Sequence, residues 1–305
     1  MLNHFISLKD LSAKDIMALL ALTARIKKNP AAFRKKLAGK TVGLLFQKPS
    51  LRTKTSFYVA VLELGASPIY FSPQEVRLGE RESVSDAAKT LSRYLDCVVL
   101  RTFSHEVIRD FIKVSDIPVI NGLSGLVHPA QILGDLFTLY ELKKDFKKIK
   151  FAYIGDGNNI AHSLLYAFSL LGGNIAIAHP VGYAPEDQIV KEAREFARKS
   201  GATIDIGNDP KGAASGADVL YADVWTSMGD EAEHEDRVKI FKDFQLNGGL
   251  MQLAKKDCLI MHCLPAHRGE EITDDVIDSK NSVVFDQAEN RLHTAKAILL
   301  HLLSK

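Results

Sequence analysis

Short apolar runs alternate with longer amphipathic stretches through most of the chain, a rhythm that admits few folds besides βα units stacked into parallel sheets. The spacing predicts strands over 42–46, 69–71, 97–100 and 118–120, then over 150–154, 174–178, 203–206, 219–223, 258–261 and 283–285. Ten such strands exceed one sheet of ordinary width. The rhythm restarts after the charged stretch 143–150, so the chain is expected to form two α/β domains, each a mainly parallel sheet flanked by helices. A first helix is expected from a cap at Ser12, with Asp15 completing a capping box and Ile16, Leu19, Leu20 and Ile26 on one face. A last helix is expected over 288–303.

Composition narrows the partners. With 39 Lys+Arg against 37 Asp+Glu, the net charge of +2 sets up no field that would draw nucleic acid or a membrane surface. Three cysteines without CxxC spacing argue against a disulfide scaffold and for a reducing compartment. The start Met1-Leu2-Asn3-His4-Phe5 lacks the charged lead and apolar block of a signal peptide, and no run is long enough to span a bilayer, so a cytoplasmic protein is expected.

Chemistry-bearing residues cluster at predicted strand ends, where open α/β sheets bind ligands. Pro49-Ser50-Leu51-Arg52-Thr53-Lys54-Thr55-Ser56 lies between a strand and a helix expected over 57–64. Its hydroxyls, cations and helix-start amides suit a phosphorylated small molecule, against the plainer alternative of a hydroxyl-rich cap with solvated charges. Arg101-Thr102 ends another strand. In His128-Pro129-Ala130-Gln131, a neutral imidazole can donate to a carbonyl oxygen while Gln131 recognises an amide, a pairing that suits a planar carbamoyl-type group; a structural helix start is the alternative.

In the second half, Gly155-Asp156-Gly157-Asn158-Asn159-Ile160 invites comparison with a dinucleotide fingerprint but carries Ile160 where the third glycine belongs, and its paired Asn residues suit a carboxylate instead. In Asp223-Val224-Trp225-Thr226-Ser227-Met228-Gly229, Asp223 can bind an ammonium group, and Ser227 with the backbone at Met228 can hold the rest of an amino acid, or the segment is an ordinary loop. His262-Cys263-Leu264-Pro265-Ala266-His267-Arg268 offers a thiol beside imidazoles. Zinc on His262, Cys263 and His267 lacks paired cysteines or HExxH spacing, so no metal is expected there. Cys97 and Cys258 read as core residues.

Together, Ser50-x-Arg52-Thr53-Lys54-Thr55, Arg101-Thr102, His128-Pro129-x-Gln131, Gly157-Asn158-Asn159, Asp223-x-Trp225-x-Ser227-Met228-Gly229, His262-Cys263-Leu264-Pro265 and Ala288-Glu289-Asn290-Arg291 resemble, in order, the ornithine branch of the aspartate/ornithine carbamoyltransferase family. The resemblance implies a carbamoyl-phosphate-binding domain over 1–145, onto which the helix over 287–305 packs back, an ornithine-binding domain over 146–286, and an active site in the cleft between them. It implies no cofactor and a homotrimer in which Arg77 reaches a neighbouring subunit's site. Carbamoyl phosphate would meet Ser50, Leu51, Arg52, Thr53, Arg77, Arg101, His128, Pro129, Ala130, Gln131, Cys263, Leu264 and Arg291. Ornithine would meet Asn159, Asp223, Ser227 and Met228, and catalysis would fall to Cys263, Arg101, His128 and Asp223. Arg77 stands where relatives often carry Gln or His, and Lys54 where many carry Arg, which alters the hydrogen-bond geometry at both positions.

Overall fold

The computed structural model describes residues 3–76, 78–79, 82–142, 144–226 and 231–304. Two compact units share the chain: Met1–Phe137 with Glu289–Lys305, and Thr138–Ala288. The division falls inside the helix Pro129–Glu141.

The first unit holds a parallel sheet of β1 (Thr41–Phe46), β2 (Ser67–Phe71), β3 (Cys97–Arg101) and β4 (Val119–Leu123), in the order β2-β1-β3-β4. Every residue of β3 is buried, as expected of a central strand covered on both faces, whereas the edge strand β2 is buried at no position. The helix Ala13–Lys28 opens on Ser12 with a complete capping box to Asp15 and buries Ile16, Leu19, Leu20 and Ile26.

The second unit holds β5 (Lys150–Ile154), β6 (Asn174–Ala178), β7 (Thr203–Gly207), β8 (Val219–Ala222) and β9 (Leu259–His262), all parallel, in the order β7-β6-β5-β8-β9. At its centre Phe151, Tyr153 and Tyr221 are fully buried, and the Phe151 and Tyr153 rings each lie tilted against Tyr221 at centroid distances of 5.7 and 5.9 Å.

Two expectations from the sequence need correction. The tenth strand, over 283–285, does not form. Ser282 makes a single bridge with Ile260 and the chain passes at once into the helix Val284–Leu303. One backbone bond, Val283 N–H to the Ile260 carbonyl at 3.0 Å, is all the pairing that segment achieves. The other is the helix expected over 57–64, which begins six residues earlier as Leu51–Glu63, so the polar motif is the helix's own first turns rather than a loop before it.

Each sheet has one place where the strand order reverses. In the first unit it lies between β1 and β3, and in the second between β5 and β8. Ligands of open α/β sheets bind beyond the carboxyl ends of the strands at such points.

Candidate active site

At the first reversal, β1 and β3 end side by side, Phe46 in register with Arg101. Beyond β1, Ser50 caps the helix Leu51–Glu63 and accepts from the Thr53 N–H at 3.1 Å. The first-turn amides of a helix lack partners four residues back and carry partial positive charge, which makes this terminus a seat for an anion. Thr53 is buried, and its hydroxyl oxygen accepts from Arg291 Nη2 at 2.7 Å. Arg291 is brought there by close helix packing. A Cβ on Gly134 would stand 3.0 Å from Arg291 Cγ and 3.6 Å from its Cα, so a larger residue would press Arg291 outward by a few tenths of an ångström.

Arg101 is the last residue of β3, is 8% exposed, and its Nε finds no hydrogen-bond partner among the described residues. Burial first, then the like charges of Arg291 and Arg52, pull its pKa down to about 10. The interactions that shift it are all unfavourable to the cation. His128 accepts Gln131 and Ile132 N–H on its carbonyl at the start of the helix Pro129–Glu141. Burial, then Arg291 and Arg101, hold its imidazole well below the usual histidine range, so it is neutral and can donate to a carbonyl oxygen. Gln131 gives its amide N–H to Asp135 at 2.8 Å, which leaves its oxygen to accept from an amide nitrogen.

The motif's other members divide. Leu51 is 76% exposed. Ser56 donates back to the Thr53 carbonyl of its own helix, and Lys54 Nζ lies 3.7 Å from the centroid of the Tyr70 ring. The hydroxyls and cations that the sequence offers together to a phosphate therefore do not all serve one site. Arg52 joins the guanidinium cluster, while Lys54 takes up an aromatic face and Ser56 serves the helix.

At the second reversal, β5 leads into Gly155-Asp156-Gly157-Asn158, β8 into Asp223, and β9 into Cys263. Asp223 accepts on both carboxylate oxygens. Oδ2 takes Asn158 Nδ2 at 2.8 Å, and Oδ1 takes the Val224 N–H at 2.8 Å and Cys263 Sγ at 2.7 Å. The Cys263 thiol is the donor in that contact rather than a poised nucleophile, because a thiolate so close to a carboxylate would be repelled. Asn158 also caps the helix Asn159–Leu171, its Oδ1 accepting from Ile160 and Ala161 N–H, and Asn159 is that helix's first residue. Tyr153, which the sequence did not mark, donates to the Asp156 carbonyl at 2.8 Å. Burial and the charges of Asp223, Asp156 and Cys263 raise its phenol well above the ordinary range.

Gly157 is a glycine because the chain itself comes close. A Cβ there would meet Pro185 N at 2.2 Å and the Ala184 carbonyl carbon at 2.3 Å. That space is filled by backbone, not open to a pyrophosphate, which removes the dinucleotide reading. Leu264 sits at φ +54°, a conformation unfavourable for a side chain with a Cβ, and its N–H donates to His262 Nδ1 at 2.9 Å. His262 Nδ1 is thus an acceptor and Nε2 carries the proton, given to Glu271 Oε1 at 3.1 Å. Those bonds occupy both ring nitrogens of His262, which leaves it no lone pair for a zinc ion shared with Cys263 and His267. Glu271, fully buried, is a second residue the sequence did not signal, since nothing distinguishes it from an exposed turn carboxylate. Cys97 and Cys258 are buried in the core, and burial pushes the Cys258 thiol up to about 12. Arg77, Ser227 and Met228 lie outside the described residues.

A family model described as the carbamoyl-P binding domain of aspartate/ornithine carbamoyltransferase matches residues 3–141, and one described as the Asp/Orn binding domain matches 147–302. The chain belongs to the aspartate/ornithine carbamoyltransferase family. It is 47% identical over 299 residues to a protein of Pyrococcus furiosus named ornithine carbamoyltransferase, anabolic, covering 97% of this chain and 95% of that one. It is 46% identical over 291 residues to one of Thermoplasma acidophilum named ornithine carbamoyltransferase, catabolic, covering 95% of each. Proteins named for opposite directions of flux are thus equally similar. A solved structure titled ornithine carbamoyltransferase from Pyrococcus furiosus superposes with a TM-score of 0.96 at 46% identity, covering 99% of this chain and 97% of that one. No described helix is long and apolar enough to cross a membrane.

Proposed function

We propose that this chain is an ornithine carbamoyltransferase: it moves the carbamoyl group of carbamoyl phosphate to the side-chain amine of L-ornithine, releasing L-citrulline and phosphate without a cofactor. The observation that carries this reading is the guanidinium cluster at the first strand-order reversal. Arg101 ends β3, Arg291 reaches the Thr53 hydroxyl and Arg52 lies in the first turn of the helix that Ser50 caps; Arg101 and Arg291 are both buried, the like charges of Arg291 and Arg52 disfavour the Arg101 cation, and a doubly charged phosphate relieves that repulsion.

In this reading Ser50, Leu51, Arg52 and Thr53 hold the phosphate, with Arg77 supplied by a neighbouring subunit of a homotrimer. Arg101, Thr53 and His128 polarise the carbonyl oxygen and stabilise the oxyanion of the tetrahedral adduct, with Arg291 adding charge. Pro129 and Ala130 place Gln131, whose oxygen accepts from the carbamoyl NH2. Asn159, Asp223, Ser227 and Met228 take the amino acid. The nucleophile must be an uncharged amine. An alkylamine of pKa about 10.4 costs about 4.6 kcal/mol to neutralise at pH 7, so the site must remove a proton. The Cys263–Asp223 hydrogen bond offers a short path for it. Because the amine attacks the carbonyl carbon directly and phosphate leaves with the bonding pair, no covalent cysteine intermediate is needed. Three free thiols suit a reducing compartment and a cytoplasmic enzyme.

The test is a ureido-product assay with carbamoyl phosphate and a panel of amines. L-ornithine should be carbamoylated far faster than putrescine, N-acetylornithine or N-succinylornithine; a preference for any of those would overturn the assignment. Sedimentation should give three copies per particle.

A further inference from the structure

The turn that follows the thiol segment gathers metal-ligating groups that carbamoyl transfer does not use. His267, Glu270 and Glu271 each offer a ligand atom, all within 4.8 Å of one another. Their backbone is held on every side. The Glu270 N–H bonds the His267 carbonyl and the Gly269 N–H bonds the Ile272 carbonyl, both at 2.9 Å, while Gln245 Nε2 donates to the Gly269 and Glu270 carbonyls at 2.8 Å. The three side chains pass from exposed through half-buried to fully buried, so the cluster opens to solvent at one end.

Glu271 is the second, independent observation. It is 0% exposed, and Oε1 accepts from the His267 N–H and from His262 Nε2–H. Its other oxygen, Oε2, is buried with no hydrogen-bond partner among the described residues. An acceptor left so in the interior is costly, and a cation satisfies it. A further imidazole stands by: His234 Nε2 is 3.4 Å from Glu270 Oε1, and its Nδ1 lies 3.1 Å from the Thr226 hydroxyl, which can fix the tautomer that leaves Nε2 a lone pair.

We propose that His267, Glu270 and Glu271, with His234 beside them, bind a divalent transition-metal ion of the zinc class. Imidazole nitrogen with carboxylate oxygen suits zinc, cobalt or nickel rather than calcium or magnesium, which take oxygen alone. Bonds of about 2.0–2.2 Å bring tetrahedral ligands closer together than the present spread, so the exposed His267 and half-buried Glu270 turn inward on binding. His262 is then an outer partner that orients Glu271.

Chelator-treated protein titrated with Co2+ tests this through visible absorption. The expected result is one ion per chain, with the absorption of a nitrogen and oxygen set and no thiolate-to-cobalt band. His267→Gln and Glu270→Gln, both on the accessible side, should each weaken binding by at least about tenfold, the lower end of what even an outer-shell change costs a metal site. Cys263→Ala should bind as the parent does. Absence of binding, binding that survives both substitutions, or a thiolate band lost in Cys263→Ala would each overturn the proposal.

Discussion

The two strand-order reversals occupy equivalent places in their sheets yet are built on opposite principles. In the first unit the groups at the strand ends are cations set against one another, and Arg101 keeps a buried Nε without a partner among the described residues. In the second, the Asp223 carboxylate is satisfied by a thiol, an amide and a backbone N–H within its own unit. A site that stores repulsion is completed by a dianion. A site that is already hydrogen-bonded instead presents a fixed acceptor and a proton path, and admits a ligand by exchanging partners. In the proposed mechanism the first site grips the leaving group and the second manages the amine's proton.

The largest effect that can break this contrast is on Arg101. Arg101→Gln should lower kcat/KM for carbamoyl phosphate by about a hundredfold to a thousandfold, the cost of losing one preorganised donor to an oxyanion. Because it also removes a crowded buried charge, it should leave the melting temperature of the ligand-free protein unlowered. A strongly destabilised variant would mean the cluster is not repulsive. Cys263→Ala should reduce kcat by up to about a hundredfold, the lower edge of general acid–base contributions, with carbamoyl phosphate affinity retained; unchanged turnover would remove the thiol from the proton path.

Asp223→Asn sharpens the same comparison from the stability side. It turns one acceptor oxygen into an NH2 that faces either the Asn158 donor or the Val224 and Cys263 donors, so unfolding free energy should fall by about 1–3 kcal/mol in urea titrations. Smallest is a pH effect in the first unit. Burial pulls His105 down to about 4, and His128 shifts in the same direction. Above about pH 6.5 both folded and unfolded chains hold these rings neutral and nothing is lost. As pH falls from there toward 4, the unfolded chain binds protons that the folded one resists, so stability declines. Thermal melts across that window should show the decline, and His105→Gln should flatten it; equal slopes would refute the assignment.

Both sheets were legible because periodicity and strand length are local properties. The segment 283–285 misled because Val283-Val284-Phe285 has strand propensity, whereas its neighbours allow one bridge only and the helix that follows claims the rest. The start of the helix Leu51–Glu63 was hidden by its polar first turns, although Ser50 already signalled the cap. The places of Arg101 and Asp223 at strand ends, and of Arg52 and His128 at helix starts, were legible from the same rhythm. That Lys54 turns to Tyr70, that Asn158 serves Asp223, and that Glu271 is buried under His262 depend on contacts between distant segments, which no spacing in the sequence records.

The most direct measurement is carbon NMR of a single turnover, with the carbonyl of carbamoyl phosphate carrying 13C and the side-chain amine of ornithine carrying 15N. Direct transfer predicts that the label moves straight into citrulline and shows one-bond coupling to that nitrogen. Label trapped as a thiocarbamate on Cys263, or released uncoupled while phosphate still appears, would contradict the account.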